Sequence, residues 1–247
     1  MNYSVILPTL NENGHIVQLI NSISTIFTKR DLVFEIIIVD DNSEDGTIQT
    51  VERYKKENKK IQLIVRSNLK KNLADSINEG IINAKYENII WMDADFQHPP
   101  EYINEFINEI HNCDVVIASR FLSTSERYFK NKNFAKDINE NQSYLFNKLC
   151  KLFLFQDVTD FTSGFICLKK YYFKDFKLQG FYGDYFVNLI THLKKRKASI
   201  IEIPFTDNIR ATGHSKTLVK INVKYIYTCF RYFLTLFFNI IRIKIKL

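Results

Sequence analysis

The stretch NIIWMDADFQHPP, residues 88–100, places two carboxylates directly after an apolar run and two prolines shortly after them. The apolar run has the composition of a strand that is buried on both faces, and Pro99 and Pro100 are typical of the first turn of a helix. Strands that lead through short loops into helices build parallel α/β sheets. The stretch therefore predicts a strand, an acidic loop that contains Asp93 and Asp95, and a helix.

The same alternation recurs along the chain. Apolar runs of strand type are SVILP (4–8), EIIIVD (35–40), IQLIV (61–65), NIIWMD (88–93) and DVVIAS (114–119), and helical periodicity occurs between them at 13–28, 46–59, 71–85 and 99–111. Further on, we expect a helix at about 138–155, a strand near 165–169, a helix near 182–196 and a strand at 200–205. This order predicts an α/β fold of Rossmann type, with a mostly parallel sheet flanked by helices.

The composition narrows the class of protein. With 247 residues, 46% of them hydrophobic, the chain can form one sizeable core. The four cysteines are widely spaced and the five histidines lack metal-ligand spacing, so neither a disulfide framework nor a zinc site is predicted. No charged segment precedes a long apolar run at the N-terminus, so we expect no signal peptide. The formal charge of +7 comes from the part after Asp207, and the nearly neutral remainder argues against nucleic-acid binding.

Polar and acidic clusters follow three of the predicted strands. Their sequences are PTLNE (8–12), DDNSEDGT (40–47) and DAD (93–95). Ligands of parallel sheets bind outside the carboxyl ends of the strands, so these clusters form the candidate site. Asn42 and Asp45 could equally cap the following helix. This explanation is weak for Asp93 and Asp95, because the two prolines place the next helix start several residues further on.

The pair Asp93 and Asp95 predicts a divalent-metal site. Two carboxylates so close together repel each other unless a cation neutralises them. Hard oxygen ligands suit Mg²⁺ or Mn²⁺, which bind phosphate oxygens in turn. Residues 41–52 also fit the spacing of an EF-hand calcium loop, but a strand leads into them instead of a helix, and no P-loop or dinucleotide-binding glycine pattern occurs. Asp40 and Asp41 are therefore interpreted as facing a nucleotide base or ribose.

These motifs carry a resemblance to a known family. PTLNE, VDDNSEDGT, MDADFQHPP, SR (119–120), TSGF (162–165) and RATGHSK (210–216) occur in the order found in family 2 glycosyltransferases. Over about residues 3–216, the chain most resembles the dolichol/polyprenyl-phosphate mannose synthase branch. The resemblance implies a GT-A fold and the inverting, metal-dependent transfer of a mannose- or glucose-type sugar from GDP-mannose or a UDP-sugar to a polyprenyl or dolichyl phosphate.

The resemblance also implies roles for single residues. The metal would be bound by Asp93, Asp95 and Gln97. The nucleotide sugar would contact Asp93 and the residues Pro8, Glu12, Asp40, Asp41, Arg210 and Lys216. The acceptor phosphate would contact Arg120 and Ser143, which makes Arg120 a catalytic residue together with Asp93 and Asp95.

The role of Arg120 depends on whether the acceptor is a phosphate or a hydroxyl group. A phosphate monoester is already anionic at neutral pH and attacks without a general base, so Arg120 would have to orient it only. A salt bridge at the strand end is the other interpretation of this arginine. A hydroxyl acceptor would need a base, and Asp184, near the start of a predicted helix, is the first candidate.

One departure from the branch concerns the acceptor. The branch usually has a glycine-rich loop that contains tryptophan after SR, and a second arginine one helical turn before Ser143. Here that position is Asn139, and the loop has neither glycine nor tryptophan. Lys136 or Arg127 could supply the charge. The departure favours an alternative, a family 2 enzyme that acts on a hydroxyl in surface-polysaccharide or lipid-linked glycan synthesis. A catalytically silent protein that binds only nucleotide sugar or membrane is a third hypothesis, against which the intact acidic motif argues.

The tail, residues 217–247, has a helical period. Nearly all its polar residues fall on one stripe: Lys220, Lys224, Thr228, Arg231, Thr235, Asn239 and Arg242. The longest uncharged run, 232–241, is shorter than the about 20 residues that span a bilayer. A wide apolar face with a basic stripe is typical of a helix in the surface of an anionic membrane, and packing on the body or in a dimer is the alternative. We therefore expect a GT-A domain at 1–216 and a membrane-associating amphipathic helix at 217–247, peripheral on the cytoplasmic face of a membrane.

Overall fold

The computed structural model of the chain describes residues 1–67, 70–122, 138–180, 183–206 and 233–241, with side chains from residue 143 onward in the third range. These residues form one sheet whose seven strands are β1 (Asn2–Thr9), β2 (Val33–Asp40), β3 (Ile61–Val65), β4 (Asn88–Trp91), β5 (Val115–Ser119), β6 (Ile166–Lys169) and β7 (Ile200–Pro204). The order is β3-β2-β1-β4-β6-β5-β7, and β6 is antiparallel to both of its neighbours while the other pairs are parallel. The predicted α/β class with a mostly parallel sheet is confirmed.

Helices flank this sheet. They are α1 (Ile16–Lys29), α2 (Thr47–Glu57), α3 (Leu73–Asn83), α4 (Ile103–Glu109), α5 (Ile138–Phe153), α6 (Asp184–Lys195) and α7 (233–241). A 3-10 turn over Pro100–Tyr102 leads into α4, as the two prolines of the opening stretch predicted. The helix and strand predictions for the second half of the chain are confirmed as α5, β6, α6 and β7, with small differences at their ends.

The strands are continuous apolar runs because both faces of the sheet are buried. Val5 and Leu7 of β1 belong to the core on the side of α1 and α4. Ile6, between them, belongs to the core on the side of α3 and α6. Since successive side chains of a strand point to opposite faces, neither face of β1 can be polar. Polar residues are therefore displaced to the ends of the strands.

The predicted C-terminal helix is described only in part. Residues 233–241 are helical, and the rest of 217–247 lies outside the described residues, as do Arg210 and Lys216. Within the described ranges, no helix has the length and apolar character needed to cross a membrane. A division of the chain near residue 216 stays a prediction.

The contact between α3 and β1 gives a test of the packing. A Cβ added at Gly80 would clash with Ile6 Cγ2. Gly80→Ala should therefore lower the free energy of unfolding by about 1–3 kcal/mol through overpacking, although alanine favours a helix. Chemical denaturation measures the change, with Ile82→Ala on the exposed face of α3 as a control that should stay within about 0.5 kcal/mol of wild type.

The same contact predicts coupling. In an Ile6→Ala background the clashing methyl group is absent, so the cost of Gly80→Ala should shrink. Equal costs in the two backgrounds would contradict the contact.

Candidate functional site

Three loops meet at one edge of the sheet. Because β2, β1 and β4 are adjacent and parallel, the loops that follow them lie side by side at their carboxyl ends. Each loop contains one non-glycine residue with positive φ: Asn11 (59°), Asn42 (59°) and Phe96 (62°). Asparagine tolerates this conformation, whereas it is unfavourable for phenylalanine. Strained backbone of this kind clusters at functional sites, which makes this edge the candidate site.

The loops after β1 and β2 are joined by hydrogen bonds. The N–H of Asn11 donates to Ser43 Oγ (2.8 Å), and the N–H of Glu12 donates to Thr47 Oγ1 (2.9 Å). The carboxylate of Glu12 is buried beside His15, with 3.0 Å between Oε2 and the ring Nε2. Glu12, a predicted pocket residue, therefore stands in a loop whose backbone is fixed by the neighbouring strand end.

Asp40 connects the same two loops through buried hydrogen bonds. It is fully buried, and its carboxylate accepts hydrogen bonds from the N–H of Ser43 (2.7 Å), from Ser43 Oγ (2.7 Å) and from Thr9 Oγ1 (3.0 Å). Pro8, the other predicted pocket residue of β1, is half-buried. In this structure the Asp40 oxygens accept hydrogen bonds from the turn after β2, and the contact of Asp40 with a nucleotide stays a prediction.

Asp41 is anchored to the segment between β3 and α3. Its carboxylate forms an ion pair with the buried Arg66 and accepts hydrogen bonds from Ser76 Oγ (2.8 Å) and from the N–H of Asn72 (2.9 Å). Arg66 was not among the residues predicted from the sequence. An arginine at the end of an otherwise apolar strand is the signal that could have found it, because a buried guanidinium needs a carboxylate partner.

Asp45 precedes Gly46, the N-cap residue of α2, and hydrogen-bonds the first residue of the helix. Its Oδ1 accepts a hydrogen bond from the N–H of Thr47 (3.0 Å), and its Oδ2 accepts one from the N–H of Asn13 (3.0 Å). Burial alone would raise the pKa of Asp45, but the hydrogen bonds from Thr47 and Asn13 outweigh it and lower the pKa. Asp45 therefore joins the start of α2 to the loop after β1, although it is not the N-cap residue of the helix.

Asp93 and Asp95 stand in the loop after β4, in the middle of this edge. Asp95 is 3% exposed, and its Oδ1 accepts a hydrogen bond from the N–H of Gln97 (3.0 Å). Asp93 is half-buried, and its N–H donates to His98 Nδ1 (2.9 Å). Among the described residues, no group of three or more His, Cys, Asp or Glu could hold a metal. Mg²⁺ typically takes one or two carboxylates and completes its shell with substrate phosphates and water, and this carboxylate pair fits such a role.

Arg120, directly after β5, is held in a fixed orientation. Its Nε and one terminal nitrogen donate to the two oxygens of Asp160, at 2.8 and 3.0 Å, and the same terminal nitrogen donates to Thr162 Oγ1 (2.8 Å). Ser143 Oγ of α5 lies 3.2 Å from that hydroxyl. The structure thus brings Arg120 and Ser143 into one cluster, and it also shows the salt bridge that was the other interpretation of Arg120. Asp160 was missed, although it stands two residues before the TSGF motif.

The loop that supplies Asp160 is anchored by Glu202 of β7. The Glu202 carboxylate accepts hydrogen bonds from the N–H and hydroxyl of Thr159 (2.8 and 2.9 Å) and from the N–H of Asp160 (3.0 Å). Burial raises the pKa of Glu202, and these hydrogen bonds only partly offset it. The orientation of Arg120 therefore depends on Asp160, whose loop is held by Glu202 on β7, the last strand of the sheet.

The remaining candidate residues are Asp184 and residues outside the described ranges. Asp184 is buried at the start of α6. An acid at this position is favoured by the helix dipole. Arg210 and Lys216, predicted to contact the donor diphosphate, lie outside the described residues.

Similar structures have this fold at low identity. Glucosyl-3-phosphoglycerate synthase from Mycobacterium tuberculosis, solved with phosphoglyceric acid, superimposes with a TM-score of 0.70 at 14% identity, over 96% of this chain and 79% of that one. The same enzyme with UDP gives a TM-score of 0.67 at 15% identity, over 97% of this chain and 80% of that one. The predicted GT-A fold is therefore confirmed.

Sequence comparisons identify the family. The dolichol-phosphate mannosyltransferase of Pyrococcus furiosus is 29% identical over 232 residues, which cover 94% of this chain and 63% of that protein. The Saccharomyces cerevisiae protein of the same name is 27% identical over 238 residues, or 92% of this chain and 85% of that protein. Residues 4–176 match the model of the family described as Glycosyl transferase family 2. The chain belongs to glycosyl transferase family 2.

Proposed function

We propose that this chain transfers a sugar, with inversion, from a nucleotide-sugar donor to a polyprenyl phosphate. Two groups of charged side chains at one edge of the sheet are the main support for this reaction. The acidic pair Asp93 and Asp95 follows β4, the oriented Arg120 follows β5, and the loop before β6 lies between them. An anion-binding metal beside a fixed guanidinium suits a reaction in which a phosphate attacks a sugar diphosphate.

The comparisons support the two substrates. The relatives from Pyrococcus furiosus and Saccharomyces cerevisiae are named for transfer to dolichol phosphate, which supports a polyprenyl phosphate acceptor. The Mycobacterium tuberculosis synthase was crystallised with UDP and Mn²⁺ or Mg²⁺, which supports a nucleotide donor and a divalent ion. GDP-mannose or a UDP-sugar is the proposed donor.

The donor half uses the loops after β2, β1 and β4. Glu12 and Asp41 would line the nucleoside pocket, while Asp40 keeps the two loops at a fixed separation. Asp93 and Asp95, with Gln97, would hold Mg²⁺ or Mn²⁺. When bound, this ion stabilises the negative charge that grows on the departing nucleoside diphosphate.

The acceptor half uses Arg120 and the hydroxyls around it. An acceptor phosphate oxygen forms the new bond to the anomeric carbon as the bond from that carbon to the nucleoside diphosphate breaks. Arg120 would orient the phosphate in line, because Asp160 fixes the plane of its guanidinium. No side chain has to remove a proton, since the phosphate is already anionic. A hydroxyl acceptor would need one, and Asp184 is the candidate base for that alternative.

A matched pair of acceptors tests the proposal. With a panel of nucleotide sugars and Mn²⁺, the wild-type protein should glycosylate a polyprenyl phosphate and leave the corresponding polyprenol unmodified, as mass spectrometry of the lipids would show. Asp95→Asn should lose roughly several kcal/mol of transition-state stabilisation. Asp175→Asn, an exposed carboxylate on the surface, should have no effect. Glycosylation of the polyprenol at an equal rate would contradict the acceptor class, and full activity in excess chelator would contradict the metal.

The role of Arg120 predicts a selective loss. Arg120→Ala should raise KM for the polyprenyl phosphate and lower kcat while the Kd of nucleoside diphosphate stays nearly unchanged. The single variant leaves the fully buried Asp160 without its guanidinium, which is destabilising by itself. The double variant Arg120→Ala with Asp160→Asn removes that charge and should fold better without regaining activity. An equal loss of nucleotide affinity in both variants would move Arg120 to the donor side.

We propose that the tail contacts the cytoplasmic face of a membrane. The described part of the tail, α7, supports contact with a membrane surface. Leu236 and Asn239 of α7 are buried, and Asn239 Nδ2 donates to Asn188 Oδ1 of α6 at 2.9 Å. Phe233, Phe237 and Phe238 are 61%, 48% and 53% exposed. The helix therefore packs on the body through Leu236, Asn239 and Ile240 and presents three phenyl rings outward, where a surface helix in water would carry polar side chains.

Vesicle binding tests this orientation. Replacing Phe233, Phe237 and Phe238 by serine should weaken binding to anionic vesicles by about tenfold or more, because burial of one phenyl side chain is worth roughly 1.5–3 kcal/mol. Ile82→Ser, which removes an exposed apolar residue from α3, is the control and should bind as wild type does. Wild-type binding should weaken with salt without vanishing, because apolar insertion is not screened. Equal cosedimentation of wild type and the triple variant would show that α7 is only a packing helix.

A further inference from the structure

His98 closes the acidic loop after β4. The N–H of Asp93 donates to His98 Nδ1 at 2.9 Å. The side chain of the last residue in the segment 93–98 therefore holds the backbone of the first. Within this segment lies Asp95, which accepts a hydrogen bond from the N–H of Gln97, and Phe96, whose φ of 62° is unfavourable for a phenylalanine. A strained loop keeps its shape only if the surrounding structure holds it, and the Asp93–His98 contact spans all of it.

The imidazole itself is fixed by aromatic rings from two other elements. His98 is 5% exposed and stacks on Phe165, which precedes β6, with 4.8 Å between ring centroids and 7° between planes. Phe205, which follows β7, meets it edge-on at 5.7 Å and 75°. This packing sets the direction of Nδ1. The position of the Asp93 backbone is therefore coupled to the loop that precedes β6.

We propose that His98 is a positioning residue for the divalent metal, and that it fixes the relative placement of the Asp93 and Asp95 carboxylates before the ion binds. The inference rests on the metal site of the proposed function. A hydrogen bond from outside the ligand set orients ligands and typically changes metal affinity by about 10–100-fold when it is lost. In this chain the bond reaches the ligand through the backbone, so it would act on the loop as a whole.

Two substitutions separate the hydrogen bond from the packing. His98→Asn places an amide oxygen where Nδ1 stands and keeps the acceptor while it removes most of the ring. His98→Phe keeps a ring between Phe165 and Phe205 and removes the acceptor. His192→Phe is the matched control. His192 lies on α6, away from this edge of the sheet, and it also stacks on an aromatic ring, that of Phe176, with 4.0 Å between centroids. Its ring also hydrogen-bonds the carbonyl of Tyr172.

The readout is the affinity for Mn²⁺ in the presence of a nucleoside diphosphate, measured by electron paramagnetic resonance of free Mn²⁺, with thermal melting as a check of folding. His98→Phe should raise the Kd for Mn²⁺ by about 10–100-fold. His98→Asn should stay within a few-fold of wild type although its core is less well packed, and His192→Phe should not change the Kd.

The outcomes distinguish the inference from the proposed function. Unchanged Mn²⁺ affinity in His98→Phe, or a larger loss in His98→Asn than in His98→Phe, would overturn the positioning role and leave the metal site intact, because packing alone predicts that order. Failure of the wild-type protein to bind Mn²⁺ in the presence of nucleotide would overturn both.

Discussion

The direction of β6 is the constraint on which the candidate site depends. Because β6 runs antiparallel between β4 and β5, the loop that precedes it lies at the same edge as the loops that follow its neighbours. That loop brings Asp160 to Arg120 and Phe165 to His98. A parallel strand in this place would carry the same residues to the opposite edge of the sheet. One reversed strand thus joins the proposed donor half of the site to the proposed acceptor half.

The carboxylates near this edge divide into two groups with different tasks. Asp40, Asp41, Asp160 and Glu202 accept hydrogen bonds or ion pairs from neighbouring loops and keep those loops in place. Asp93 and Asp95 stand in the short loop after β4. There the N–H of Asp93 donates to His98 Nδ1, and the N–H of Gln97 donates to Asp95 Oδ1. The first group makes the loops rigid enough for the second to be preorganised, which is how electrostatic stabilisation of a transition state becomes effective.

The sequence predicted most of the secondary structure and the position of the acidic pair, for physical reasons. A strand buried on both faces must be apolar throughout, so its ends are recognisable where polar residues begin. The direction of β6 was not predicted, since it depends on long-range pairing, and the partner of Arg120 is 40 residues away in the chain. The motif position of Asp40 did not reveal that this residue is fully buried, because burial depends on the packing of the neighbouring loops. In the tail, helical periodicity predicted an amphipathic helix but not that Asn239 would face the body.

We propose that the loops after β2, β1 and β4 form one donor site in which the acidic pair shares a divalent ion with a nucleoside diphosphate. Anomalous diffraction from crystals grown with Mn²⁺ and a nucleoside diphosphate would locate the ion. We expect a single strong Mn²⁺ peak between the diphosphate and the loop that carries Asp93 and Asp95, with the nucleoside beside the loops after β1 and β2. A nucleotide bound at another edge of the sheet, or an ion that contacts neither carboxylate, would contradict it.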